Sequence, residues 1–317
     1  MGRFVITFLV VTQRIATVLS QQKVPENITQ AVVSGSQTSE TTATLKCGFS
    51  NPGGLIYRFQ NGPLADFGEF PWMVAIIRKS NVSSHQWQQK DYVAAGSIIH
   101  PSVVLTTAHW IGELNPGEIK SRAGEWDTSG MEELYVYQER NVMKVVKHPD
   151  FFSESLANDL ALLFLDEPYD LPPAPHMGSV CVAQTVPVPG SECFGMGWGL
   201  GAKNRSNVLM KLKVNVLSRD DCEELMKKTR LGDSFQLHES FVCASSAESC
   251  EGDIGASLVC PITGDSARFS LYGLSAYRVS EPGAPCLYVN APSFYKWIGE
   301  SMAEEGFNTS TYTYEQS

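Results

Sequence analysis

Three short segments hold the side chains in this sequence that could do chemistry. The first ends in His109 after the apolar run 103–105, the second places Asp159 before an apolar run, and the third holds Asp253 and Ile254. Histidine and aspartate are two of the three groups of a nucleophilic triad, in which the histidine takes the proton of a serine hydroxyl. Singly, each segment also fits a structural role at a strand end or turn. Their order, with Gly-Trp-Gly at 197–199 before the third, favours the chemical interpretation.

The residue sequences of these three segments resemble those of a known family. They read TTAH at 106–109, DLALL at 159–163 and GDIGA at 252–256. They resemble the chymotrypsin-like serine proteases, whose pattern has TAAH around the histidine, DIALL around the aspartate and GDSGGP around the serine. The resemblance covers about residues 66–300, including the stretches 68–74 and 295–298. It implies an all-β fold of two six-stranded β-barrels of the chymotrypsin/trypsin type, with a cleft between them and a C-terminal helix.

The resemblance places His109, Asp159 and Ile254 at the triad positions, so isoleucine replaces the nucleophilic serine. Isoleucine has no hydroxyl, and therefore it can neither attack a carbonyl nor hydrogen-bond to the histidine. Removing the triad serine from a related enzyme costs about 2 × 10⁶ in kcat. The resemblance makes Gly252 and Ile254 the oxyanion-hole positions, and we expect the β-branched isoleucine to crowd the space that a scissile carbonyl must enter. Ser257, three residues beyond the nucleophile position, is not expected to reach the histidine. We therefore expect a pseudo-protease and not an enzyme.

The specificity pocket is altered as well. By resemblance, Glu248 lies at its base, and Tyr277 and Arg278 replace the family's Trp-Gly at its mouth. Two arrangements stay open for the arginine. It either folds inward and pairs with the glutamate as a charge-assisted fork, or it points to solvent.

Members of this family are activated by a cleavage that frees an apolar N-terminus, whose amine pairs with the aspartate before the serine. The resemblance makes Asp253 that aspartate. The nearest candidate cleavage follows Arg58, although the next residue, Phe59, departs from the usual isoleucine or valine. A surface arginine that is never specifically cut is the alternative.

Eight cysteines are scattered along the chain without a CxxC pair, which argues against zinc ribbons and thioredoxin-like chemistry. An even number in an exported chain favours four disulfides, but spacing alone leaves their pairing open. The family's disulfide beside the histidine is missing at both ends, where Ala94 and Trp110 stand, and we expect the histidine loop to be less rigidly held. The pairs that the resemblance implies are Cys47–Cys181, Cys193–Cys260, Cys222–Cys243 and Cys250–Cys286.

Short strands must position these groups. Apolar segments at 70–77, 103–107 and 159–165 are punctuated by Gly and Pro, and residues 212–216 alternate between apolar and polar. One helix is predicted near the end of the chain, where an i, i+3, i+4 apolar face spans 294–298.

The sequence predicts four parts. An N-terminal arginine, a short apolar run and small residues form an export signal, and no other run approaches the roughly 18 apolar residues of a membrane span. The last part is polar, and we expect it to be frayed from about residue 304. The parts are a signal peptide at 1–20, a Ser/Thr/Gln-rich arm at 21–57 tethered through Cys47, a peptidase S1-like domain at 58–302 and a polar tail at 303–317.

The composition of the chain limits the kinds of partner that it is expected to bind. The 317 residues carry a net charge of −10 with no Lys/Arg block, so nucleic acid is not an expected partner. No cofactor and no metal site is predicted. Four sequons are compatible with glycosylation, at Asn27, Asn81, Asn204 and Asn308.

The Cys-Gly-Phe motif at 47–49, the stretch 68–74 and the replaced nucleophile resemble the arthropod serine-protease homologues of the clip-domain group. The resemblance implies a secreted, non-catalytic regulator or cofactor of a protease cascade in haemolymph-like fluid, in prophenoloxidase activation and melanisation. Its partners would be cascade proteases, prophenoloxidase or microbial surface components. The chain departs from that group because it has no clip domain, and because isoleucine rather than glycine replaces the serine. The alternatives are an endopeptidase with a displaced nucleophile, a decoy for inhibitors or substrates, and a reproductive or salivary protein.

Overall fold

Two barrels of short strands account for most of the described chain. The structure is a computed structural model that describes residues 46–55, 62–79, 89–130, 133–172, 174–199, 206–246, 253–277, 279, 281 and 283–315. The expected all-β fold with two six-stranded barrels and a C-terminal helix is confirmed.

The first barrel closes in the order β1-β2-β3-β6-β5-β4, with every neighbouring pair antiparallel. Strand β1 is apolar without alternation because both of its faces are buried. Val74 and Ile76 join a core confined to this half of the chain, whereas Ala75 and Ile77 join a core shared with the second barrel. The strands are β1 Met73–Arg78, β2 Tyr92–His100, β3 Val103–Thr106, β4 Ile119–Ala123, β5 Gln138–Lys147 and β6 Ala161–Leu165.

The second barrel follows the order β11-β8-β9-β10-β13-β12 and is closed by pairing of β11 with β12. Strand β7 adds to it in parallel with β12. The strands are β7 Cys181–Val182, β8 Glu192–Gly197, β9 Met210–Val216, β10 Phe241–Ser245, β11 Ser257–Ile262, β12 Asp265–Tyr277 and β13 Cys286–Asn290.

Among the residues that the structure describes, three α-helices connect or follow the strands: α1 Ala108–Ile111, α2 Arg219–Lys227 and α3 Tyr295–Glu304. The terminal helix was expected, but α2 was not. Its N-terminus carries recognisable signals, since the Ser218 hydroxyl accepts a hydrogen bond from the Asp221 N–H and acidic residues fill the first turn. In the described part of the chain, none of the helices has the length and apolar character needed to cross a membrane.

The C-terminal tail is packed, so the expectation of a frayed end from about residue 304 is wrong. Tyr312 is fully buried. The Thr311 hydroxyl donates to the Ile99 carbonyl at 2.8 Å, and the Ser179 hydroxyl donates to the Thr311 carbonyl at 2.7 Å. Thr311 is therefore held by hydrogen bonds in both directions, which composition alone could not reveal.

Candidate active-site cleft and its surroundings

The register of the first barrel brings His109 and Asp159 together. Helix α1 starts directly after β3, and Asp159 lies two residues before β6, the strand that pairs with β3. Because Thr106 is opposite Ala161, the residue that follows β3 and the residue that precedes β6 meet at the same end of the barrel.

Asp159 is fully buried, and it holds the histidine through two contacts. Its Oδ1 accepts the His109 backbone N–H at 2.8 Å, and its Oδ2 accepts a hydrogen bond from Nδ1 of the imidazole. A carboxylate in this position fixes the orientation of the ring and the tautomer with Nε2 free to face the cleft. The structure therefore preserves the base and orienting group of a triad.

The segment expected to carry the nucleophile forms a tight turn before β11. The Ile254 carbonyl accepts the Ala95 N–H at 2.9 Å, and the Gly255 N–H donates to the Ser275 carbonyl at 2.7 Å. Gly255 has a φ of +81°, and a Cβ there would lie 2.3 Å from the Ala95 carbonyl oxygen, so only glycine fits. The isoleucine side chain is half-buried, and Gly252 lies outside the described residues.

Ser257 is engaged elsewhere. It is fully buried at the start of β11, and its hydroxyl shares a 2.7 Å hydrogen bond with the Ser97 hydroxyl on β2. Its oxygen also lies 3.4 Å from the Met73 sulfur. The hydroxyl nearest in sequence to the nucleophile position thus forms part of the packing between the two barrels.

Asp253 is buried, and its carboxylate already has partners. Its Oδ2 accepts the Trp198 backbone N–H at 2.5 Å. The hydroxyl of Tyr92, at the start of β2, is buried as well. Burial, followed by the charge of Asp253, raises the pKa of Tyr92 well above its ordinary value. No sequence motif indicated that Tyr92 would take part in the site.

Comparison with known proteins decides the family. The sequence profile of the family described as Trypsin matches residues 59–298, more than half of the chain. The chain belongs to the trypsin family.

Its trypsin-family relatives include proteins named as inactive. Phenoloxidase-activating factor 2 of Galleria mellonella is 38% identical over 84% of this chain and 92% of the relative. Inactive CLIP domain-containing serine protease A8 of Anopheles gambiae is 36% identical over 81% of this chain and 71% of the relative. A second protein of that mosquito, Inactive CLIP domain-containing serine protease A28, is 32% identical over 85% of this chain and 71% of the relative. These relatives confirm the resemblance to the arthropod serine-protease homologues.

The two residues expected at the positions of the family's disulfide beside the histidine lie in different environments. Ala94 is buried in β2, and Trp110 is half exposed, with its ring 5.7 Å from that of His109. The Lys147 ammonium, on β5, donates to the Gly112 carbonyl at the end of α1. This contact ties the histidine loop to the first barrel at a point that sequence reasoning missed.

Tyr277 is the described member of the three predicted pocket positions. Its hydroxyl accepts a hydrogen bond of 2.9 Å from the guanidinium of Arg230, in the loop after α2. The backbone N–H of Arg230 donates to both carboxylate oxygens of Glu281, at 3.0 and 3.2 Å. Two loops beside the cleft are thereby joined. Glu248 and Arg278 lie outside the described residues, and both the inward and the solvent-facing arrangement of the arginine stay predictions.

Disulfides join the arm and the second barrel in the described chain. They link Cys193 with Cys260 and Cys222 with Cys243, and Cys47 of the arm with Cys181 on β7. Cys286 is disulfide-bonded, and its expected partner Cys250 lies outside the described residues.

A buried arginine reinforces the attachment of the arm. The Arg268 Nε donates to the Cys47 carbonyl at 2.8 Å, and its guanidinium lies 4.9 Å from the centre of the Phe49 ring and 4.6 Å from that of Tyr314. Gly48 between them has a φ of +82°, and a Cβ there would lie 2.4 Å from a backbone oxygen of β12. The arm and the C-terminal tail therefore both contact the Arg268 guanidinium.

Modification and cleavage sites are mostly outside the described residues. This holds for Arg58 and for three of the sequons, Asn27, Asn81 and Asn204. Asn308 is exposed after α3, and its side-chain oxygen accepts the Ser310 N–H at 3.0 Å.

Proposed function

We propose that this trypsin-family chain is a secreted, non-catalytic homologue that acts by binding proteins of an extracellular protease cascade. The observation that carries the proposal is the pairing of a preserved His109–Asp159 couple with Ile254 at the nucleophile position. The base and its orienting group remain, but no hydroxyl stands where the family's serine attacks.

The state of Asp253 supports the loss of catalysis independently of the isoleucine. In this family an activating N-terminal amine must reach that carboxylate. Here one oxygen of the carboxylate already accepts the Trp198 N–H, and the buried Tyr92 is close enough for the charge of Asp253 to raise its pKa. An entering amine would have to share this buried carboxylate with the Trp198 N–H.

The buried position of Ser257 argues against a displaced nucleophile. Its hydroxyl is hydrogen-bonded to Ser97 between the barrels, and a substrate carbonyl has no route to a fully buried oxygen. An active endopeptidase is therefore the less favoured function.

The names of the relatives support a cascade role. One relative is named as a factor that activates phenoloxidase, and two others are named as inactive proteases. We infer that this chain likewise binds prophenoloxidase or a protease that acts on it, and so regulates melanisation. The disulfides, the expected export signal and the exposed sequon at Asn308 support an extracellular, haemolymph-like location.

Fluorophosphonate labelling tests the absence of catalysis. The secreted full chain is treated with a fluorophosphonate probe before and after limited trypsin treatment, with an active trypsin-family protease as the control. We expect no labelled serine in either state. Labelling that peptide mapping assigns to a serine of this chain would overturn the proposal.

Direct binding tests the cascade role. The full chain is immobilised, and purified insect prophenoloxidase and its activating protease are passed over it. We expect saturable binding of one of them. Absence of binding to both would contradict the assignment to this cascade while leaving the loss of catalysis untouched.

A further inference from the structure

The disulfide between Cys47 and Cys181 lies against a positive charge. The guanidinium of Arg268, on β12, places its Nη2 3.8 Å from the Cys47 sulfur and 3.7 Å from the Cys181 sulfur. Both cysteines are fully buried and Arg268 is 3% exposed, so solvent and salt screen little of this interaction. The charge therefore acts on both sulfur atoms at close range.

In the described part of the chain, Arg268 forms no ion pair with a carboxylate. Its Nε donates to the Cys47 carbonyl at 2.8 Å, and its guanidinium packs against the rings of Phe49 and Tyr314. The exposed Lys46 precedes Cys47 in the chain. Lysine and tyrosine side chains are not ordinarily anionic at neutral pH, so these neighbours offset the buried charge only through the carbonyl and the ring faces.

A second buried arginine, Arg122, is neutralised by carboxylates. It is 2% exposed, and it forms ion pairs with Glu125 at 2.8 Å and with Glu139 at 2.6 Å. Burying a charge is costly unless an opposite charge accompanies it, and Arg122 follows that rule. Arg268 follows it only when one of the two sulfur atoms that it contacts becomes negative.

Reduction of the disulfide would supply that negative charge. An adjacent arginine stabilises the thiolate form of a cysteine, and the Cys181 sulfur lies beside the guanidinium. The Cys47 sulfur also lies 3.5 Å from the Thr313 carbonyl oxygen, which can accept the proton of a thiol. Each sulfur of the reduced pair thus has a suitable partner in place, a cation for a Cys181 thiolate and a carbonyl for a Cys47 thiol.

We propose that Cys47–Cys181 is a redox-active disulfide whose reduced form is stabilised by Arg268, so that a thiol reductant reduces it in preference to Cys193–Cys260. Two molecules of a thiol such as glutathione supply two electrons and become one disulfide. The S–S bond of the protein breaks, one of the two thiol protons goes to the Cys47 sulfur, and the other goes to solvent because Cys181 stays a thiolate. The inference goes beyond the cascade role and does not depend on it.

Backbone hydrogen bonds keep the two cysteines adjacent after reduction. The Gly48 N–H donates to the Ser179 carbonyl at 2.7 Å, and the Phe269 N–H donates to the Gly48 carbonyl at 2.8 Å. Because neither bond involves sulfur, the pair can be oxidised again. Reduction therefore leaves the arm held by non-covalent contacts, which can open locally in a way that a disulfide cannot.

The disulfide Cys193–Cys260 is a matched control within the same chain. It is also buried, and it joins β8 to β11. Its surroundings are apolar, with Val214 and Leu258 in the same cluster, and the Cys193 sulfur lies 3.7 Å from the Ser191 carbonyl oxygen. Apolar surroundings disfavour a thiolate, so this disulfide should resist the reductant better.

Differential alkylation followed by mass spectrometry tests the role of the charge. The full chain and its Arg268→Gln and Arg268→Lys variants are equilibrated with glutathione buffers, starting from oxidised and from reduced protein, so that slow access to the buried sulfurs does not bias the result. We expect the equilibrium constant for reduction of Cys47–Cys181 to fall about tenfold or more in Arg268→Gln and to stay within about threefold in Arg268→Lys, which keeps the charge. The constant for Cys193–Cys260 should be the same in all three chains.

The pH dependence of the wild-type chain gives a second test that needs no variant. When reduction forms one thiolate, it releases one proton, so below the ionisation of a free thiol near pH 8.5 it becomes about tenfold more favourable for each pH unit. We expect this slope for Cys47–Cys181 between pH 6.5 and pH 7.5. Reduction of Cys193–Cys260 to two thiols should not depend on pH in this range.

Each outcome supports or overturns the proposal. An unchanged equilibrium constant in a folded Arg268→Gln variant would overturn it, and so would the absence of a pH slope in the wild-type chain. If near-UV circular dichroism shows that Arg268→Gln does not fold, the wild-type slope alone decides. Binding to prophenoloxidase enters neither measurement, so failure of this proposal and failure of the proposed cascade function are separate results.

Discussion

Restoring the missing hydroxyl by Ile254→Ser alone should not produce a working protease. The substitution returns a hydroxyl at the position that the family resemblance assigns to the nucleophile, in a chain where Asp159 already orients His109. It does not supply the N-terminal amine that pairs with the corresponding aspartate in this family, and the Trp198 N–H still holds the Asp253 carboxylate. It also leaves Gly-Ala at 255–256, where the family has Gly-Gly.

The hold on Asp253 sets the size of the effect. The Trp198 N–H donates a hydrogen bond to this buried carboxylate. A hydrogen bond to a charged group contributes about 1.5 to 3 kcal/mol, and this bond favours the present conformation by that amount. At about 1.4 kcal/mol for each factor of ten, the competent conformation is populated at about 1 in 10 to 1 in 100.

Fluorophosphonate labelling kinetics measure this population. Ile254→Ser should react about tenfold to 100-fold more slowly than an active trypsin-family protease. Ile254→Ala serves as the unreactive control. Labelling of the Ile254→Ser variant at the rate of the active protease would refute the reasoning, because it would mean that Asp253 is not held.

Three further changes have defined outcomes. In the folded chain burial raises the pKa of Glu133 to about 7, against an ordinary 4.5, so the free energy of unfolding falls as the pH rises from about 4.5 to about 7. Glu133→Gln should therefore raise the free energy of unfolding at pH 8 by roughly 1 to 2 kcal/mol, after allowance for partial exposure, and should not raise it at pH 4. Urea unfolding at the two pH values measures this difference. Replacing Cys47 and Cys181 together by serine opens a crosslink between residues 134 positions apart and should lower the free energy of unfolding by up to about 5 kcal/mol; an unchanged melting temperature would contradict this. Tyr312→Ala should destabilise the chain by about 3 to 5 kcal/mol in thermal unfolding, whereas a frayed tail would give no change.

The sequence predicted the features that motifs and apolar patterns encode. The His109, Asp159 and Asp253 segments, in that order, carried the family resemblance, and the resemblance implied both the two-barrel fold and the positions of the site. Continuous apolar runs such as 103–105 predicted strands, and the structure shows that β3 is buried along its whole length. The approach of His109 to Asp159 follows from the pairing of β3 with β6, and a family resemblance already contains that pairing.

The sequence could not predict contacts that single side chains make between distant parts of the fold. Tyr92, Lys147, Arg230 and Arg268 look like ordinary strand or loop residues, and their partners are set by three-dimensional packing. Helix α2 is different. Its capping serine and acidic first turn were readable, but only two of its nine residues, Cys222 and Met226, are buried, so it shows little of the apolar periodicity on which a prediction rests.

The link between Cys47 and Cys181 changes what a nick in the backbone can accomplish. After a cut at Arg58, or anywhere else between the two cysteines, the disulfide keeps both fragments covalently linked. The hydrogen bond from Arg268 to the Cys47 carbonyl also holds the arm in place. The composition of the particle stays the same after such a cut, and only the freedom of the new ends differs. Gels run without reductant would show one band, and with reductant two. Proteolysis between the two cysteines would therefore free new chain ends without releasing a separate fragment.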